Sequence, residues 1–238
     1  MTSEKLLYRI TNINSDNSLY RGLTYYKNYV YATNGAAFAK IKYDFDKSYK
    51  GKTFLCDGTS YEMNKKEFAF INSKLDDYIK NKERDTIDIS RVSDMLNPIM
   101  QLNDYLTESI SYIRFGDNLY KIKLLKEVLC IAYELFLFNG GLSKVNNINA
   151  LIIKDSDNLI MCACSSKSTD EVAYIDYKSN KLKNFNYGDF FRNIKNDLSK
   201  LNKDKKKTKT SKDEKTIDKQ ISLLNNYRDI VDGLITVK

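Results

Sequence analysis

Histidine is absent from the 238 residues. That one gap removes Ser-His-Asp and Cys-His catalysis and every His-ligated metal site. A single proline and nine glycines exclude collagen-like and proline-rich architectures. No run of about 20 apolar residues exists, so a membrane span is not expected. The start does not resemble a secretory signal, because Glu4 and Lys5 are followed by only two leucines. Four cysteines, at 56, 130, 162 and 164, have neither finger nor ribbon spacing. They read as buried free thiols rather than zinc ligands, and their lack of a disulfide framework suggests a cytoplasmic protein. The sequence holds no GxxxxGK[ST] phosphate loop and no GxGxxG after a strand. Gly140-Gly141 follows a helical pattern, so it reads as a helix stop. Asp76-Asp77 diverge on a helix, and Asp155 and Asp157 are ordinary turn formers. No catalytic residue, cofactor or metal is therefore expected, and the protein reads as non-enzymatic.

What is present is enough apolar material for a sizeable core: 42% of residues are hydrophobic and 29% charged. The formal net charge is +8. Lys200 to Lys219 holds nine lysines and four acids, a net of +5, which leaves +3 for all other residues. Such an excess attracts polyanions without reading sequence.

Extended and helical patterns alternate along the chain. Leu6–Ile10 reads as a short strand, and Leu23–Thr33, rich in tyrosine and valine, as one or two more. Asn34-Gly35 is a strong hairpin signal, since both residues tolerate positive φ, and it joins Tyr29–Thr33 to Phe38–Tyr43 in a hairpin with one core face. Thr53–Cys56 is another candidate strand. Residues 62–84 fit a helix or a loop with a short helix. Ser90 is a plausible N-cap. Beyond it, Pro98 either starts a helix capped by Asn97 or kinks a single longer one. Tyr120–Phe138 predicts a well-buried helix, Ile148–Lys154 and Leu159–Cys164 a hairpin, and Glu171–Tyr177 a further strand. Phe185–Leu201 and Ile217–Leu234 predict two amphipathic helices, separated by a flexible apolar-free stretch over Asp204–Lys212. The fold class is α+β. The expected domains are an α+β body over 1–180 and a helical extension over 181–238, with a lysine-rich linker at about 203–215.

Tyr29-Val30-Tyr31-Ala32-Thr33-Asn34-Gly35-Ala36-Ala37-Phe38-Ala39 resembles the strand-turn-strand signature of bacterial DNA polymerase sliding clamps. In that family an Ala-Thr-Asp-Gly turn precedes a His-Arg pair, an apolar residue and an alanine. Ala32, Thr33, Asn34 and Gly35 match the turn, and Phe38 and Ala39 the later pair. Alanines 36 and 37 stand at the His-Arg positions, so a DNA-facing charge is missing. Tyr120 to Ser165 resembles the closing half of a clamp domain, and the likeness in layout covers about residues 4–176. It implies a DNA-clamp-like domain with an antiparallel sheet and two packed helices, plus the C-terminal helical extension. It also implies a non-enzymatic, ring-forming protein that tethers duplex DNA by topology and weak, non-specific phosphate contacts. One such domain would have to oligomerise to close a ring.

The nucleic-acid-binding residues expected on that reading are Lys121, Lys123 and Lys126, with Lys203, Lys205, Lys206, Lys207 and Lys209. Asn34 and Gly35 are expected to have a structural role in the turn. The alternative function is a protein-interaction module that docks a partner through its C-terminal helices without binding DNA. The expected partners are accordingly duplex DNA, a second copy of the chain or another protein, and no membrane.

Overall fold

The computed structural model describes residues 3–66, 68–69, 72–73, 84–106, 109–136, 142–145, 150–154, 157–208 and 210–235. In chain order, α1 (Ser3–Leu7) runs into a 3₁₀ turn (Tyr8–Ile10) and is followed by α2 (Ser18–Arg21). Strands β1 (Gly22–Tyr26), β2 (Tyr29–Thr33), β3 (Ala37–Lys42), β4 (Lys52–Leu55), β5 (Ser60–Glu62) and β6 (Arg84–Ile87) lead to α3 (Ile89–Asn103). The chain continues through β7 (Tyr112–Phe115), β8 (Asn118–Lys121) and α4 (Ile122–Phe136). Then come β9 (Leu142–Val145), β10 (Ala150–Lys154), β11 (Leu159–Ala163), β12 (Tyr174–Asp176) and β13 (Lys181–Lys183). Two long helices close it, α5 (Tyr187–Lys207) and α6 (Ser211–Ile235). The fold is α+β.

Contacts divide the chain into two compact units that interleave in sequence. The first holds 1–92 and 120–166, the second 93–119 and 167–238. The contacts thus group 93–119 and 167–180 with the C-terminal helices, whereas composition alone suggests a division at 180.

The first unit is built on a nine-stranded sheet in the order β5-β4-β1-β2-β3-β11-β10-β9-β6, and every pairing in it is antiparallel. At its centre β3 meets β11, with Phe38 opposite Met161 and Ala39 opposite Ile160. A topological repeat is centred there. A helical segment precedes β1-β2-β3, α4 precedes β9-β10-β11, and the third strands of the two sets pair. Because side chains alternate across a strand, one face carries Tyr31, Phe38, Ile152, Leu159 and Met161, packed with Leu19, Met63 and Phe68. The opposite face carries Leu23, Val30, Ala32, Ala39, Leu151, Ile153, Ile160 and Cys162, all buried. Contacts of the 3₁₀ turn with β2 and β3, and of α4 with β11, cover it.

Several expectations change here. Leu6–Ile10 is helical, not a strand. Leu6, Leu7 and Ile10 are spaced i, i+1 and i+4, which puts all three on the buried side of a helix and not of a strand. The central hairpin is covered on both faces instead of one, since Phe38 is as buried as Ala39. The hairpin exists as read, with β3 starting one residue earlier, at Ala37. Gly35 has φ +87°, whereas Asn34 is not at positive φ. Asn34 acts through its side chain, whose Oδ1 accepts from the Ala36 and Ala37 amides at 2.9 and 2.8 Å. The helix α3 is continuous through Pro98. Val92, Met95, Leu96, Ile99 and Leu102 form one buried stripe, and its burial outweighs the lost proline hydrogen bond. Its cap is Asp88 rather than Ser90, with Asp88 Oδ1 accepting from the Ser90 amide at 2.9 Å. Of the cysteines, Cys162 is buried but Cys56 is exposed, and burial pushes the Cys162 thiol up to about 12. Asp76, Asp77, Gly140, Gly141, Asp155 and most of 62–84 lie outside the described residues.

Between β1 and β4 the hydroxyls of Thr24 and Thr53 hydrogen-bond at 2.8 Å, both almost wholly buried. Thr24→Val strands the Thr53 hydroxyl, and chemical denaturation should show a loss of about 1–2 kcal/mol. The double Thr24→Val/Thr53→Val variant removes both groups and should recover most of that loss.

The second unit holds β7, β12, β13 and the first two residues of β8, in a four-stranded sheet of order β13-β12-β7-β8. In it β12 runs parallel to β7 and antiparallel to β13. Helices α5 and α6 form an antiparallel hairpin, and α6 packs against β13. The lysine-rich stretch is mostly helical rather than a flexible linker, since α5 continues to Lys207 and α6 begins at Ser211. Lysine and aspartate do not oppose a helix in the way glycine and proline do. Two contacts also brace this end: Lys205 Nζ donates to Asp218 Oδ1 at 2.6 Å, and the Thr210 hydroxyl accepts from the Asp213 amide at 3.3 Å.

Candidate nucleic-acid interface

The expected basic residues that are described fall on the end of β8 and on α4 in the first unit, and on α5 in the second. On the first unit they sit on the helical layer over the sheet. The inward side of α4 buries Ile122, Leu125, Val128, Leu129, Ile131 and Ala132. That spacing fixes the helix's rotation and turns Lys123 to solvent, with Lys126 half-buried beside it. Lys121, the last residue of β8, is exposed immediately before the helix.

The neighbouring α1 and 3₁₀ turn add two cations, Lys5 and Arg9. Both are exposed because Leu6, Leu7 and Ile10 take the inward positions. Arg9 Nη2 lies 2.5 Å from Glu127 Oε2 and ties the turn to α4. Glu4 is engaged as well, its Oε1 accepting the Tyr25 hydroxyl at 2.7 Å. Burial first, and then this hydrogen bond, push the Tyr25 phenol far above its ordinary range. Tyr8 anchors the turn to β4, its hydroxyl donating toward the Phe54 and Leu55 carbonyls, each 3.0 Å away. Burial pushes that phenol up to about 12. Two of the layer's acids are thus occupied, and its outward surface presents Lys5, Lys121, Lys123 and Lys126, with Glu134 the exposed acid. Such a surface can attract phosphates, but it contains no arginine fork free to read base edges.

On the second unit Lys203, Lys206 and Lys207 are exposed on α5. Lys205 differs from them. It is half-buried and faces α6, where the Asp218 carboxylate, with Glu214 3.9 Å away, pushes its ammonium up. Lys205 therefore braces the hairpin. Lys209 lies outside the described residues. Asn34 and Gly35 stay in the β2–β3 loop, in a structural role.

The apolar residues of the two long helices are largely engaged within the second unit. Phe190, Ile194, Leu224, Tyr227, Val231 and Leu234 are buried. Tyr105 stacks on Tyr227 at 5.4 Å between ring centroids, and its hydroxyl donates to Asp197 Oδ2 at 2.7 Å. Among the described residues, no group of three or more Cys, Asp or Glu side chains is placed to hold a metal ion. No described helix is long and apolar enough to cross a membrane. Compared with protein-family models, curated proteins and solved structures, the chain matches none.

Proposed function

We propose that this protein is a non-enzymatic, nucleic-acid-associated accessory protein with a clamp-like domain, acting in the cytoplasm. The observation that carries the reading is the topological repeat of the first unit. Two helix-and-three-strand segments meet antiparallel through β3 and β11, and α1 and the 3₁₀ turn of the first contact α4 of the second. A clamp domain uses such a layer to hold DNA loosely. The helices present lysines to phosphates, and closure of a ring, rather than tight contact, prevents escape. Lys5, Lys121, Lys123 and Lys126 would be the phosphate contacts, and one pair of repeats per chain makes a ring a matter of self-association.

The alternative of a docking module draws little from the helices proposed for it, because their apolar stripes are mostly buried. Of the larger side chains on α6, Leu223 and Ile235 are the exposed apolar ones, and two scattered residues do not make a patch.

The test is solution mass with and without a labelled duplex, together with binding measured at 50 and 200 mM salt. The expected result is an oligomer whose affinity falls steeply with salt. Lys121, Lys123 and Lys126 changed together to Gln should lower the magnitude of the log K against log salt slope by about 2–3. No duplex binding at 50 mM salt, or a monomer under all conditions, would sink the reading.

A further inference from the structure

The hairpin of α5 and α6 has a charge pattern that its sequence composition conceals. Near the 208–210 connection its inner rows are Leu198, Leu201 and Lys205 on α5, with Ile217 and Ile221 on α6, all half-buried. The acids here are mostly engaged: Asp218 and Glu214 face Lys205, and Asp213 is held by the Thr210 hydroxyl. What remains outward is ordered. Lys200, Lys203 and Lys207 lie at i, i+3 and i+7 on α5, and Lys212, Lys215 and Lys219 at i, i+3 and i+7 on α6. Three- and four-residue steps place each set on one face of its helix. All six side chains are exposed; so are the acids Asp204, Asp213, Glu214 and Asp218, of which the last three are engaged by Thr210 and Lys205.

We infer that these two lysine rows form a second binding element, which grips the phosphate backbone of duplex nucleic acid without reading its sequence. Each row spans about 10 Å of helix. Over that length a DNA duplex carries about six backbone charges. Three flexible ammonium groups per row match such a line of charge without needing a fixed geometry. Other polyanions fit less well. Residues 192–226 contain no Phe, Tyr or Trp, so single-stranded bases have no stacking platform. Over residues 200–219 an acidic protein would be met without aromatic or arginine anchors. A membrane surface would be met without an apolar face, since Leu223 is the exposed large apolar residue of this stretch. The inference concerns the second unit alone and does not rest on the clamp reading of the first.

The test uses the full chain with Lys200, Lys203, Lys207, Lys212, Lys215 and Lys219 all changed to Gln. Duplex binding is followed by anisotropy across a salt series. The expected result is a slope lower in magnitude by about 3 or more, with an affinity at 50 mM salt reduced at least 100-fold. The same six positions changed to Arg should retain the slope, and Lys205→Gln should alter it by less than about 1. Circular dichroism is expected to show unchanged helix content in the Gln variant. If that variant loses helicity, Lys200, Lys203 and Lys207 changed to Gln by themselves carry the test, with a slope expected to fall in magnitude by about 2 and an unchanged slope overturning the inference. A slope unchanged by the six Gln substitutions would overturn the inference. So would polyglutamate or anionic vesicles competing as well as duplex of equal charge. Loss of the hairpin effect while the Lys121, Lys123 and Lys126 variant still weakens binding would remove this element and leave the first unit's reading in place.

Discussion

Replacing Asp176 with alanine is expected to destabilise the protein by about 3 kcal/mol, at the lower end of the range for removing one partner of a buried ion pair. Asp176 is a buried acid in a β-strand, and its carboxylate organises three segments of the second unit. Its Oδ2 accepts from Arg114 Nε at 2.7 Å, with Arg114 Nη2 at 2.5 Å. Its Oδ1 accepts from the Ser179 amide and hydroxyl, both at 2.7 Å. The pair thus joins β12 to its parallel neighbour β7 and fixes the turn toward β13. Alanine leaves the Arg114 guanidinium partly buried over the Tyr174 ring without its counter-charge. Burial alone would push the Asp176 carboxyl up, but the Ser179 and Arg114 hydrogen bonds together hold it below its ordinary range. A folded-state pKa below the unfolded value gives stability that is present above about pH 4 and lost as pH falls through the folded pKa. Melting curves of the parent between pH 6 and 2 should show this acid-side loss, and the Asp176→Ala variant should show less of it. A variant that melts within a degree of the parent at pH 7 would refute the assignment.

The second large effect is expected at Gly22. Its backbone is extended, with φ −149° and ψ −172°, so no conformational preference demands glycine. Space does. Gly22 opens β1 opposite Leu55 of β4. A Cβ there would collide with the carbonyl oxygen of Phe54, and would lie 2.8 Å from its carbonyl carbon and 3.0 Å from Leu55 Cδ2. That same carbonyl is within hydrogen-bond reach of the Tyr8 hydroxyl. Gly22→Ala must therefore shift β4 and loosen the helical layer that carries Lys5 and Arg9. We expect a loss of about 3 kcal/mol or more, at the upper end for overpacking. Gly233→Ala is the control. A Cβ at this position in α6 meets nothing within 4 Å, and the change should stabilise by about 0.5–1 kcal/mol. Thermal melts of the two variants should move in opposite directions.

Local chemistry made much of the fold legible. The β2–β3 hairpin followed from Asn34-Gly35, the β10–β11 hairpin from two short apolar runs, and α4 from a long apolar periodicity. In each, the deciding contacts are close in sequence, and side-chain spacing reports them directly. Where the sequence misled, a short segment fitted two periods. Leu6–Ile10 is too brief to separate strand from helix by pattern. Pro98 is a strong local stop, overridden by a buried stripe that only packing supplies.

The candidate site divides along the same line. The lysines of α4 could be placed because that helix could be placed. Arg9 could not, since Leu6–Ile10 was read as a strand, and Lys5 could not, since no helix was expected at Ser3–Leu7. Lys205 could not be told from its neighbours, because its partners Glu214 and Asp218 reach it only once α5 and α6 fold back on one another.

The sequence by itself determined the chemistry that is excluded, the α+β class and the location of the lysine excess, because these depend on residue type and short-range period. Only the tertiary structure decided that β3 and β11 join two helix-and-strand repeats in one sheet, and which lysines face solvent and which neutralise an acid. Those outcomes depend on pairings between residues far apart in the chain, and no local pattern encodes them.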